Sequence, residues 1–280
     1  MVGSGQNGMR GHFGGRREMN GGTTERQVRF SLLGVLLIGL AELGGGIFLP
    51  QALLLQRELS LSYTQVIWLL FAEICGVALG FLRSAGAGTC TRAALAWGLS
   101  HFFFGNLLIG LSRELVGLLL GGFFVGLGCF QIKRSVLAEV VGKAPSSAIS
   151  MLAVCRLTIV LTSVSAPLFG ALFLQTRGVR EGAYLLSFFA ALLFLFSVFI
   201  LPKSRKTHPV LGDISPKPPA IEGALTPFSL CFFLFGGVLE LFRTATGVFL
   251  FAISGNLFLS ALVLSLLKIG FGLCKVAIIA

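Results

Sequence analysis

Apolar residues in this chain gather into eight runs of roughly 18 to 25 residues, parted by short breaks rich in glycine, charge or proline. The runs cover residues 30–55, 63–82, 93–111, 115–132, 150–174, 183–201, 227–251 and 257–280. A helix rises about 1.5 Å per residue, so each run can cross the ~30 Å hydrocarbon layer of a bilayer. Inside that layer a segment must satisfy its own backbone hydrogen bonds, which helices do. The pattern predicts an all-α integral membrane protein with about eight transmembrane helices.

The seventh run repeats the first. Phe30, Ser31, Leu32, Leu36, Gly39, Glu42 and Leu43 reappear in order and spacing as Phe228, Ser229, Leu230, Leu234, Gly237, Glu240 and Leu241, an offset of 198 residues. The same register pairs Leu59, Leu61 and Ser62 with Leu257, Leu259 and Ser260. Leucine matches are cheap in so apolar a chain, but a matched glycine and a matched mid-span glutamate are not. Two copies of one helical unit point to a transporter built from related halves.

Composition agrees: 55% of residues are hydrophobic and 12% charged, about half the ~25% charged share of globular proteins, and the mean hydropathy is +0.91. The formal charge of +11 invites a nucleic-acid partner, but the placement of the basic residues argues for topology instead. Arg10, Arg16, Arg17, Arg26, Arg29, Arg83, Arg92, Lys133, Arg134, Lys143, Lys203, Arg205, Lys206 and Lys217 fall before the first span or in alternate loops. Only Arg57, Arg113, Arg177 and Arg180 fall in the others. By the positive-inside rule the N-terminus and the long loop after the sixth span are cytoplasmic. Membrane lipid is the partner of this basicity, and no nucleic acid is expected.

Residues 1–27, glycine-rich with scattered arginines and no apolar h-region, read as a disordered basic cytoplasmic tail rather than a secretory signal. Residues 28–201 form a first six-helix unit. Residues 202–225, with Pro209, Pro216, Pro218 and Pro219, form a cytoplasmic linker, and residues 226–280 the first two helices of a second unit. Cys75, Cys90, Cys129, Cys155, Cys231 and Cys274 make no C-x-x-C pair, and His12, His101 and His208 are dispersed. No disulfide framework, metal site, cofactor or enzymatic constellation is expected.

Three segments carry a family resemblance. The first span holds Glu42, Gly44, Gly45, Gly46 and Phe48-Leu49-Pro50, followed by Leu59-Ser60-Leu61-Ser62-Tyr63-Thr64. The fourth runs from Leu118 through Gly121-Gly122 and Gly126-Leu127-Gly128 to Leu137-Ala138-Glu139. The fifth holds Ala166-Pro167-Leu168-Phe169-Gly170-Ala171. In this order they resemble the opening helix, fourth helix and fifth helix of the major facilitator superfamily of secondary transporters. The last is similar to the Gly-Pro-x-x-Gly-Gly signature of its proton-driven antiporters. The chain departs from that family in the loop after the second helix, where Ser84 stands at the position of an aspartate, and in the fourth helix, where Gly122 stands at that of an arginine. The resemblance implies twelve helices in two halves. With the second half starting 198 residues after the first, four helices remain to be supplied, by a longer parent chain or by a second chain.

Ionisable residues inside spans cost about 2.5 to 3.5 kcal/mol each on insertion scales, so they face protein or water and are candidate sites. Here they are Glu42, Glu73, Arg156, Glu240, Arg243 and Lys268; Lys275, near the last residue, can snorkel to the surface instead. Glu42 lies beside three glycines, where the helix could unwind or another backbone approach closely, and is the first choice for a proton or cation site. Glu240 and Arg243, three residues apart, are placed for an ion pair along one helix. Arg156 shares a face with Ser163 and Pro167, and either meets an anionic solute or pairs with Glu42 or Glu73. Lys268 pairs with Glu73 or with solute. The glycines at 117, 121, 122 and 126 suit close helix packing, and Phe102, Phe103 and Phe104 are expected to face lipid.

The expected function is movement of a small polar or organic solute across a membrane by alternating access, coupled to protons through a carboxyl such as Glu42. A plasma or inner membrane is the expected location, with an organelle membrane as the alternative. The competing reading is a non-transporting remnant or an assembly partner of another membrane protein.

Overall fold

The computed structural model describes residues 19–85, 92–141, 145–200 and 227–279, and side chains over 32–83, 93–140, 149–199, 238–239 and 241–270. The described residues form eight helices and no strand: α1 (Met19–Leu59), α2 (Tyr63–Ala85), α3 (Arg92–Leu111), α4 (Leu115–Val141), α5 (Pro145–Arg177), α6 (Val179–Ile200), α7 (Pro227–Ser254) and α8 (Leu257–Ile279). α1 to α6 are each long and apolar enough to cross a membrane; the described apolar stretches of α7 and α8, Leu241–Ser254 and Leu257–Gly270, are shorter. α1 starts at Met19, so residues 19–27, read as tail, are helical, while residues 1–18 and the linker 202–225 lie outside the described residues.

Local chemistry sets the breaks. Ser62 and Gln65 cap the start of α2 reciprocally: the Ser62 amide donates to Gln65 Oε1 at 2.8 Å and the Gln65 amide to Ser62 Oγ at 3.3 Å. Asn256 Oδ1 accepts the Leu259 amide at 3.1 Å at the start of α8. Gly178 (φ 89°) and Gly255 (φ 62°) end α5 and α7 in the left-handed conformation that a Cβ disfavours. The first hairpin turns at residues 60–62 and the second at 255–256, so Leu257 and Ser260 are helical where Leu59 ends a helix and Ser62 caps one. The repeat in sequence thus does not continue element for element past α7.

α1 is the axis of the bundle. It packs against α2, α4, α5, α6, α7 and α8, and Leu37, Ile38, Ala41, Ala52 and Leu53 are buried along it. The neighbour pattern of the first six helices has an internal logic. α1 packs on α5 as α4 packs on α2, α3 on α4 as α6 on α1, α1 on α2 as α4 on α5, and α3 on α6. Exchanging the first three helices for the second three returns these pairs to themselves; the short α5–α6 turn contact is the exception.

Glycines let these helices close up. α4 lies so near α2 and α3 that a Cβ at Gly126 would collide with the Glu73 carbonyl oxygen, at Gly76 with that of Phe123, and at Gly121 would come 3.0 Å from that of Gly105. Phe102 corrects the expectation of a lipid-facing side chain: its ring is fully buried in the notch left by Gly44 of α1, whereas Phe104 is exposed. The glycine run of α1 does not unwind. Helix continues through it, and Gly44 and Gly46 instead receive Phe102 and Ala166.

Candidate functional site

The site is built from the middle of α1 outward. Ala41 turns its carbonyl to α4, where Cys129 Sγ donates to it at 3.2 Å. One turn further along α4, Lys133 Nζ donates to Glu42 Oε1 at 3.0 Å, with 14% of the Glu42 side chain and 32% of the Lys133 side chain exposed. The two helices are thus tied at adjacent residues of α1 and at positions one turn apart on α4. A lysine in a low-dielectric setting needs such a partner, and so does a carboxylate.

Glu73 enters from α2 against the glycines. Its Oε1 lies 3.5 Å from the point where a Gly45 Cβ would sit, and its backbone rests on Gly126 of α4. Lys133, Arg243 of α7 and Lys268 of α8 all lie within electrostatic reach of Glu73. Arg243 also senses Glu42, and Lys268 senses Glu42, Lys133 and Arg243. Five charged groups from five helices therefore share one region, and two of the five come from the second unit. Glu73 and Lys268 form no hydrogen bond or ion pair among the described residues. Ser265, one turn before Lys268, is buried with its Oγ unpartnered among those residues. These groups leave hydrogen-bonding capacity open inside the bundle, as do the buried Gln51 Nε2 and Gln131 Oε1, and an unmet buried polar group is costly.

Of the residues picked out in the sequence, Glu42, Glu73, Arg243 and Lys268 come together here. Arg156 is exposed on α5 and does not join them; neither Glu42 nor Glu73 pairs with it. The side chains of Glu240 and Lys275 lie outside the described residues, and with them the pairing of Glu240 with Arg243. Lys133 is the residue the sequence reading missed. By sequence alone it falls in a cytoplasmic loop, since the apolar run ends at Ile132, but α4 runs on to Val141 and carries it inward. Its place on the face of Gly122, Gly126 and Cys129 was the available signal. Removing Lys133 from the loop count leaves the basic asymmetry standing.

No protein-family profile matches this sequence, and no curated protein matches it.

Proposed function

We propose that this chain is a secondary transporter of the major facilitator type, or the larger part of one, moving a small polar or organic solute by alternating access with proton coupling. The observation that carries the reading is the convergence of Glu42, Glu73, Lys133, Arg243 and Lys268 from α1, α2, α4, α7 and α8. Charges are retained inside a membrane bundle at a cost, and their usual return is a solute or ion path. That the cluster draws on both units suits a site which opens alternately as the units rock. The three-for-three exchange of neighbours among α1 to α6 supports the same architecture, whose halves are themselves built from triplets of helices.

The division of labour follows from the partners. Lys133 holds Glu42, so that pair positions α1 on α4. Glu73, which has no such partner among the described residues, is the carboxyl available to take up and release a proton as solute and water come and go. Lys268 and Ser265 are placed to meet a polar or anionic group of the solute. Proton flux into dye-loaded proteoliposomes, driven by panels of amino acids, carboxylates, sugars and phosphates, tests the proposal. Solute-dependent proton movement supports it, and its absence in both gradient directions from folded protein defeats it.

A second reading, an assembly with further helices, has its own observation. Gly44, Gln51 and Leu55 of α1 are buried, while Phe242, Phe249 and Ile253, their equivalents 198 residues on in α7, are 63%, 63% and 70% exposed. In the first unit that side of α1 is covered by α3, α4 and α5. Helices of the same kind, from a longer parent chain or a second polypeptide, would fit over α7.

A further inference from the structure

Two contacts join α1 to α7 near the end of the bundle where both helices finish, and both link residues 198 positions apart. A Cβ at Gly247 would lie 2.8 Å from Leu49 Cδ2, and Arg57 Nη2 donates to the carbonyl of Gly255. The offset of the internal repeat is the same number. When two copies of a unit are related by a two-fold rotation, a residue touches its own equivalent only on the rotation axis. Leu49 and Arg57 are eight residues apart, about 12 Å along a helix. An axis passing both points runs along the helices, which makes the two units parallel repeats meeting edge to edge.

On that axis the chain is not symmetric. The first unit offers an arginine, and the second offers a glycine in the left-handed conformation with its carbonyl turned out at the end of α7. The Arg57 guanidinium also lies 4.5 Å over the ring of Phe251, which is itself buried. A cation at a helix C-terminus is favoured by the unpaired carbonyls there, and the ring face adds to the attraction. Below this contact Leu53 and Phe251 are buried, with Leu49 against Gly247, and the charged cluster begins at Glu42, ~22 Å along α1 from Arg57.

We infer that Arg57 is a latch, seated on the axis that relates the two units, which holds the α1/α7 end of the bundle shut over Phe251 and the Gly255 carbonyl. The contact consists of one side chain against one backbone oxygen and one ring. It can break and reform without unpacking either helix, as a moving closure requires. Its part in a transport cycle rests on the reading above; its existence as a breakable closure does not.

Disulfide formation between Leu49→Cys and Gly247→Cys tests this in the full chain in membranes, with the linked peptide identified by mass so that the native cysteines do not interfere. The pair is expected to cross-link readily under mild oxidation. Adding Arg57→Ala is expected to lower the cross-linking rate about ten-fold or more, the lower end of the scale of one charged hydrogen bond with an exposed cation–ring contact beside it. Arg57→Lys, which keeps the charge but not the planar fork, should fall between. Size-exclusion profiles confirm that each variant is folded. No cross-link in the 49/247 pair overturns the axis, and an unchanged rate in folded Arg57→Ala overturns the latch. Arg57-dependent cross-linking in a chain that moves no solute would keep the latch and remove the transporter reading.

Discussion

Lys133 Nζ and Glu42 Oε1 meet at 3.0 Å across 91 residues of sequence, joining α4 to α1 inside the bundle. Glu42 is 14% exposed and Lys133 32%, so each charge is partly desolvated and is stabilised by the other. Lys133→Met should lower thermal stability in detergent by about 2 to 3 kcal/mol, because it strands the Glu42 carboxylate. The double variant Glu42→Gln/Lys133→Met should recover most of that loss. Additive losses in the cycle would show that the two groups do not depend on each other.

Glu73 differs from Glu42 in having no ion-pair or hydrogen-bond partner among the described residues. Glu73→Gln is therefore expected to flatten the pH dependence of solute uptake while leaving the protein folded. Glu42→Gln should reduce uptake yet keep a pH dependence. The reverse pattern would return the coupling role to Glu42, the carboxyl first favoured from sequence.

Glycine substitutions should sort by what the new methyl meets. Gly126→Ala places a Cβ against the Glu73 carbonyl, a backbone atom that cannot swing aside, and should cost about 1 to 3 kcal/mol through separation of α2 and α4. Gly39→Ala meets only Thr158 Cγ2 at 3.9 Å and should be neutral or slightly stabilising in thermal unfolding. Equal effects at the two positions would contradict the close α2–α4 packing.

The orientation inferred from the basic residues is open to direct labelling. A single cysteine at Ser60, in the exposed turn between α1 and α2, should react with a membrane-impermeant maleimide from the non-cytoplasmic side only. Labelling from the cytoplasmic side would invert the topology.

Helix number among the described residues, and the starts of five helices, are legible because hydropathy reports apolar length directly. α2, α3, α4, α7 and α8 begin within one residue of the apolar runs read from sequence, whereas α1, α5 and α6 begin earlier. Orientation was not legible. A helix in lipid is apolar on its protein side and its lipid side alike, so Phe102 and Phe104 look equivalent although one is buried and the other exposed. The notch at Gly44 decides between them, and the tertiary fold brings that notch to Phe102. Lys133 escaped for a related reason: a charge just past an apolar run reads as a loop residue until its partner at Glu42 is known. Glu42, Glu73, Arg243 and Lys268 were visible because each sits well inside a run. That Arg156 stands apart from them depends on the rotation of α5, which composition does not encode.

On the reading proposed above, the charged cluster shared by the two units handles solute and protons. Its most direct test is solute-driven proton flux in proteoliposomes of the purified chain, measured side by side for the native protein and Glu73→Gln. Flux with at least one polar solute class is expected, and its loss in Glu73→Gln at unchanged folding. Identical flux in the two proteins, or none in the native protein under either gradient, would contradict it.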